Sequence, residues 1–212
     1  MWANIFRDTI TDSAWLNNKA FSPGRWAVGY PFLYVLYRVL NEIRPKSVLE
    51  LGVGQSTRVT AQYANAFGDV SHTAVDHDPV WLDFFAKSCD FVTNTNLTTL
   101  KLIKPDCYAY DDFGSVALGR KFDLILIDAP FGHSASAGAA VRTDILPFVP
   151  DCLAENFVII VDDFERAGEQ AMFGKLMAKL DGAGVAHTES LYQGSKDTVL
   201  MTTPGQAFLC TM

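Results

Sequence analysis

The chain has 212 residues, 49% of them hydrophobic and 19% charged, which is enough apolar material for a sizeable core and an ordinary length for one domain. A formal net charge of -7 argues against a protein that tracks nucleic-acid phosphates and favours a small-molecule or neutral-polymer partner. Cys89, Cys107, Cys152 and Cys210 lie far apart with no CxxC pair, so they suggest neither a zinc knuckle nor a disulfide framework, and a reducing cytoplasm is the expected compartment.

Residues 1–22 mix Arg7, Asp8, Asp12 and Lys19 with apolar positions and hold no uninterrupted apolar stretch of signal-peptide length. The most apolar early run, residues 32–40, carries Arg38 and falls short of the roughly 20 apolar residues a membrane span needs. Phe32, Leu36, Val39 and Ile43, with Leu33 and Leu40 beside them, recur at helical spacing and predict a buried amphipathic helix that Pro45 ends. Residues 1–44 read as a helical N-terminal extension, and residues 45–212 as the core of a single domain.

From there strand and helix alternate. Ser47-Val48-Leu49-Glu50-Leu51 runs into a glycine turn, and residues 57–67 have helical character. A second strand spans residues 72–76 and a helix residues 79–88. Residues 122–128 and 157–162 are continuously apolar, as strands buried on both faces are, and each run ends in aspartate. Residues 146–154 predict a crossover helix, residues 169–180 another helix, and residues 197–202 and 207–210 closing strands. The expected fold is α/β: a Rossmann-like, doubly wound, mostly parallel seven-stranded sheet with helices on both faces. Residues 132–140 are nearly all small and read either as a mobile lid or as the start of an alanine-rich helix.

Such a sheet binds ligands at the carboxyl ends of its strands, where the strand order reverses. Gly52 and Gly54 sit at that mouth and let backbone approach a ligand closely. Thr57 stands where a dinucleotide fingerprint has its third glycine, which disfavours a nicotinamide cofactor. Asp76 ends the next strand near the spacing at which an acidic residue meets ribose hydroxyls; the other reading of Asp76 is a cap on the following helix. His77, beside it, is placed against the same ligand. Neighbouring strands lie about 4.8 Å apart, so Asp128 and Asp162 face one crevice, and with Asp163 they form a carboxylate set suited to magnesium or manganese. Equally, Asp128 contacts a ligand directly while the Asp162-Asp163 pair caps a helix or binds Arg166.

His133 is a base near neutral pH, or a loop histidine without a role. Arg142 either binds an acidic ligand or pairs with Asp144 on a surface. Asp123, at the far end of its strand, is structural; His72 and His187 read as surface residues; Trp81, Phe84 and Phe85 recur as core packing.

Glu50-Leu51-Gly52-Val53-Gly54-Gln55-Ser56 resembles the first motif of class I S-adenosylmethionine-dependent methyltransferases, and Val75-Asp76 resembles their second. The resemblance implies S-adenosylmethionine as cofactor, an antiparallel last strand, and Glu50, Gly52, Gly54, Ser56, Asp76, His77, Asp111 and Asp128 around the cofactor, with Asp76 on the ribose diol and residues 111–113 near the adenine. The aspartates at the strand ends are similar to the metal site of catechol-type O-methyltransferases, with Asp163 where that site has asparagine. That implies a metal-fixed hydroxyl attacking the methyl group. Over residues 48–170 the chain also resembles the glucuronoxylan 4-O-methyltransferases, in Asp76-His77-Asp78-Pro79-Val80-Trp81-Leu82, Asp128-Ala129-Pro130-Phe131-Gly132-His133 and Val161-Asp162-Asp163-Phe164-Glu165-Arg166. The acceptor then implied is a sugar or other small hydroxyl compound, soluble or nucleotide-linked since the chain shows no membrane anchor, with Asp128 and His133 catalytic. The rival readings are a metal-independent N- or carboxyl methyltransferase and a non-catalytic nucleoside-binding protein of glycan assembly.

Overall fold

A computed structural model describes residues 1–103, 109–130 and 139–212. Seven strands, β1 (Ser47–Leu51), β2 (Ser71–Asp76), β3 (Thr95–Thr99), β4 (Phe122–Ile127), β5 (Leu153–Val161), β6 (Thr188–Tyr192) and β7 (Thr198–Thr202), form one sheet in the order β3-β2-β1-β4-β5-β7-β6. Every neighbouring pair is parallel except the two that β7 makes, with β5 and with β6. The helices are α1 (Trp2–Ile10), α2 (Tyr30–Ile43), α3 (Gln55–Phe67), α4 (Pro79–Ser88), the single turn α5 (Gly114–Ala117) and α6 (Ala167–Gly182).

Alternation along the central strands explains the two-sided core. Leu49, Leu51, Ile125, Ile127, Ile159 and Val161 bury one face of the sheet with Met172, Phe173 and Leu176 of α6. Val48, Leu124, Leu126, Val158 and Ile160 bury the other with Phe6 of α1, the apolar positions of α2, and Val59 and Tyr63 of α3. The expected N-terminal helical segment therefore covers much of one face of the sheet, together with α3.

Two expected elements are corrected. In place of a helix over residues 146–154 there is one 3-10 turn, Leu146–Phe148, and β5 has already begun at Leu153. Pro147 and Pro150 explain this, since a proline beyond the first turn removes a helical donor and clashes with the preceding carbonyl. Residues 207–210 lie in a 3-10 segment, Pro204–Thr211, and the remaining strand is the polar edge β6.

Two carboxylates, one partly exposed and one buried, hold β1 in place. Asp123 Oδ2 accepts from the backbone N–H groups of Lys46 (2.7 Å) and Ser47 (2.9 Å), the structural role expected for it. Glu50, buried in mid-strand, accepts from Thr57 Oγ1 (3.0 Å) and Thr60 Oγ1 (2.8 Å) and lies 3.0 Å from His72 Nε2. His72 is thus a buried partner of Glu50 and not a surface residue, with Thr95 Oγ1 at 3.0 Å from its other ring nitrogen. Because Thr57 Oγ1 also accepts from Gly54 N–H (2.9 Å), the network runs from the β1 interior to the glycine turn. Glu50→Ala leaves several buried polar groups unpaired and is expected to cost about 3 kcal/mol of unfolding free energy in urea titration; a loss below about 1 kcal/mol would mean that those groups find other partners.

Candidate functional site

The strand order reverses between β1 and β4, and the ladder there continues past the strand ends through Gly52 N–H to Val75 O (2.8 Å), Asp128 N–H to Leu51 O (2.9 Å) and Asp162 N–H to Ile127 O (3.1 Å). Gly52 has φ +100°, and a Cβ on it would lie 3.1 Å from Ala129 Cβ, so both its conformation and its neighbour require glycine. At Gly54 the space is open: an added Cβ meets no atom within 4 Å. Between them, Val53 is clamped from both sides, its N–H donating to Asp76 Oδ2 (3.1 Å) and its carbonyl accepting from Trp81 Nε1 (2.7 Å).

Asp76 Oδ1 accepts from Asp78 N–H (3.1 Å) and lies 3.2 Å from His77 Nδ1. Capping of α4 belongs to Asp78, whose Oδ1 accepts from Val80 and Trp81 N–H, so Asp76 orders the glycine turn and faces the cleft. That cleft, of about 470 Å³, is walled by the glycine turn, by Asp76 to Asp78 and Trp81, by Asp128 to Pro130, and by residues 25–28 of the N-terminal segment. The volume is within the range of small-molecule sites.

Its floor is charged. Asp128, Asp162 and Asp163 bring carboxylate oxygens within 4.8 Å of one another, as the strand-end pattern predicts. Buried Glu169 of α6 adds a fourth carboxylate, and three cations meet the set. Arg142 reaches Asp163 (2.9 Å), Asp128 (3.3 Å) and Glu169 (3.7 Å); Arg166 reaches Asp163 (2.7 Å) and Glu169 (3.7 Å); Lys196 Nζ lies 2.7 Å from Asp162 Oδ2 and 2.8 Å from Asp163 Oδ1. Burial, with Asp162 close by, pushes the Asp128 carboxyl well above its ordinary range, and burial also raises Asp162. Asp163 is buried too, yet Arg142, Lys196 and Arg166 outweigh burial and hold it below the ordinary value. These groups do not fit a divalent cation as they stand, because an ammonium already bridges two of the three carboxylates and a guanidinium bridges the third to its neighbour.

Of the residues expected around a cofactor, Gly52, Gly54, Asp76, His77 and Asp128 line the cleft. Glu50 and Ser56 are buried behind the turn and Asp111 is exposed; none of the three lines it. Arg142 is not on the surface beside Asp144: it is buried among its carboxylates, at the edge of the cleft that it helps to line. Trp81 is 38% exposed in the cleft wall and Phe84 59% exposed, with their rings stacked at 5.6 Å; only Phe85 packs in the core as expected. His133, and residues 132–138 of the expected lid, lie outside the described residues. Reading the sequence missed Lys196 and residues 25–28. The signal for a lysine was the charge balance itself: carboxylates gathered at strand ends require cations, and Lys196 lies two residues before β7, the strand that pairs with β5.

No protein-family model matches the chain, and no curated protein matches it. Solved structures do. The O-methyltransferase TomG of tomaymycin synthesis from Streptomyces achromogenes, in complex with SAM, aligns with a TM-score of 0.57 and 14% identity over 84% of this chain and 81% of that one. A putative caffeoyl-CoA O-methyltransferase from Staphylococcus aureus gives 0.56 and 12% over 94% and 91%, and a methyltransferase from Geobacter sulfurreducens gives 0.56 and 14% over 95% and 87%. The chain shares the fold of these solved methyltransferases. At such low identity the likeness concerns fold alone.

Within this fold, the segment before α5 is tied down by Asp144, whose Oδ1 accepts from Tyr110 N–H at 2.6 Å. Burial raises the Asp144 carboxyl to about 6. A raised carboxyl stabilises the folded state in full below its unfolded value near 3.8, and that contribution is lost as pH climbs through about 6. Asp144→Asn keeps the acceptor for Tyr110 without the ionisation, so the stability of the variant relative to wild type is expected to rise by about 2 to 3 kcal/mol between pH 4 and pH 7. Urea titrations across that range check it, and a constant difference would mean that the carboxyl ionises normally.

Proposed function

We propose that this chain is an S-adenosylmethionine-dependent methyltransferase acting on an oxygen of a small or glycan-linked acceptor. The observation that carries the reading is the cleft at the β1/β4 reversal, where a glycine turn ordered by Asp76 faces the Asp128 carboxylate across the same opening. S-adenosylmethionine, when bound, supplies a sulfonium methyl group open to in-line attack. The open space at Gly54 admits the ligand close to backbone, and Asp76 offers carboxylate oxygens to a ribose diol.

The carboxylates gathered on the floor favour a cationic ligand over an anionic one. Asp128, raised in pKa and on the cleft wall, accepts the proton of the acceptor hydroxyl as its oxygen attacks. His133 is the second base offered by the sequence. Trp81 and Trp26, the latter 82% exposed, line the cleft and offer flat apolar faces to a sugar-like acceptor. The sugar reading is further supported by the motif resemblance over residues 48–170.

No helix among the described residues is long and apolar enough to cross a membrane. We assign the protein, as one domain, to the cytoplasm, a reading supported by its scattered cysteines, with Cys89, Cys152 and Cys210 all free.

Isothermal titration with S-adenosylhomocysteine is expected to give micromolar binding, and Asp76→Ala to weaken it by about 2 to 4 kcal/mol through lost charge-assisted hydrogen bonds. Absence of binding by the wild type would end the methyltransferase reading. Asp128→Asn is expected to abolish methyl transfer from labelled S-adenosylmethionine while S-adenosylhomocysteine affinity stays within a few-fold; normal turnover in that variant would remove Asp128 as the base.

A further inference from the structure

We propose that Lys196 is the resident cation of the acidic strand ends, standing where a divalent metal would otherwise bridge Asp162 and Asp163, so that the native site takes up no metal. The Lys196 ammonium forms close ion pairs with Asp162 Oδ2 at 2.7 Å and Asp163 Oδ1 at 2.8 Å, and it donates to the Ala27 carbonyl at 3.1 Å. With a buried side chain between two carboxylates, Lys196 is a fixed counter-charge.

The loop that carries it is built to hold it there. A Cβ on Gly194 would meet Pro31 Cγ at 2.5 Å, so this turn packs on the start of α2 as only glycine can. Asp197 secures the other side: its Oδ1 accepts from Gly194 N–H (3.0 Å), its N–H donates to Glu165 Oε2 (2.8 Å), and its carbonyl accepts from Phe164 N–H (2.9 Å). Lys196 is therefore delivered to the carboxylates by a loop bonded to the same β5–α6 connection that bears Asp162 and Asp163. Through Ala27 it also pins the segment that walls the cleft, which makes it a positioning residue for both the floor and the wall.

This inference stands independently of methyl transfer, since metal uptake is read without substrate or cofactor. Loss of the ammonium should convert the carboxylate set into a divalent-cation site of the kind hard cations prefer. The test is titration of the full-length chain with manganese, followed by the loss of the free-ion electron paramagnetic resonance signal, for wild type, Lys196→Ala, and Lys196→Gln, which keeps a donor for the Ala27 carbonyl. The expected result is no specific uptake by wild type and uptake of one manganese by the variants at least tenfold tighter, abolished by adding Asp162→Asn. Sequestration of one manganese by wild type, removed by Asp162→Asn, would overturn the proposal, as would folded variants that bind manganese no better than wild type. If the variants fold only with manganese present, the exchange of one cation for another is seen directly; if both stay unfolded in its presence, the equivalence fails.

Discussion

The rest of this structure depends on the neutralisation of carboxylates at the mouth of a buried sheet. Taking one charge from water into a protein interior costs several kcal/mol even after relaxation, and Asp162, Asp163 and Glu169 are almost wholly buried. No single cation meets that cost. Arg142 comes from the segment after β4, Arg166 from the residue that opens α6, and Lys196 from the loop between β6 and β7. Charge balance is thus achieved only when three separate parts of the chain have come together, and the same event assembles the floor of the cleft.

A second set of bonds makes the opposite wall rigid. Glu50 organises Thr57, Thr60 and His72 beneath the glycine turn, while Asp76 and Trp81 hold Val53 above it. The motifs put both carboxylates at the ligand, and only Asp76 lines the cleft. Glu50 belongs to the first motif yet turns its side chain into the protein, and Asp76 both orders the turn and faces the ligand space. A motif records which residues recur near a ligand and leaves open which of them touch it.

That difference also explains how much of the protein could be read beforehand. β1, β4 and β5 were legible because strands buried on both faces must be continuously apolar, and the doubly wound order followed from their alternation with helices. β3 and β6 were not: Thr95–Thr99 and Thr188–Tyr192 lie at the sheet edges, where one side meets water and the apolar signal disappears. The convergence of Asp128, Asp162 and Asp163 was legible, since strand ends that neighbour one another in space need only be recognised as strand ends. Their cations were not, because Arg142 and Lys196 lie in loops whose course no periodicity describes. Residues 25–28 escaped for the same reason, although Gly24 at φ +100° and Arg25 at φ +58° show how tightly that segment turns toward the cleft.

An internal cation changes what the acidic floor can do. A divalent ion held by carboxylates keeps open positions and can draw a hydroxyl into its coordination sphere, acidifying it directly. An ammonium has no such position, so in the reaction proposed above deprotonation of an acceptor falls to a carboxylate, and the one we propose for it is Asp128, whose pKa is raised by burial and by Asp162. Lys196 and Arg142 set how far that rise goes, since both lower the Asp128 pKa against the push of burial. In that proposal the cations on the floor tune the base, and the bond from Lys196 to Ala27 makes that tuning depend on whether the N-terminal wall of the cleft is in place.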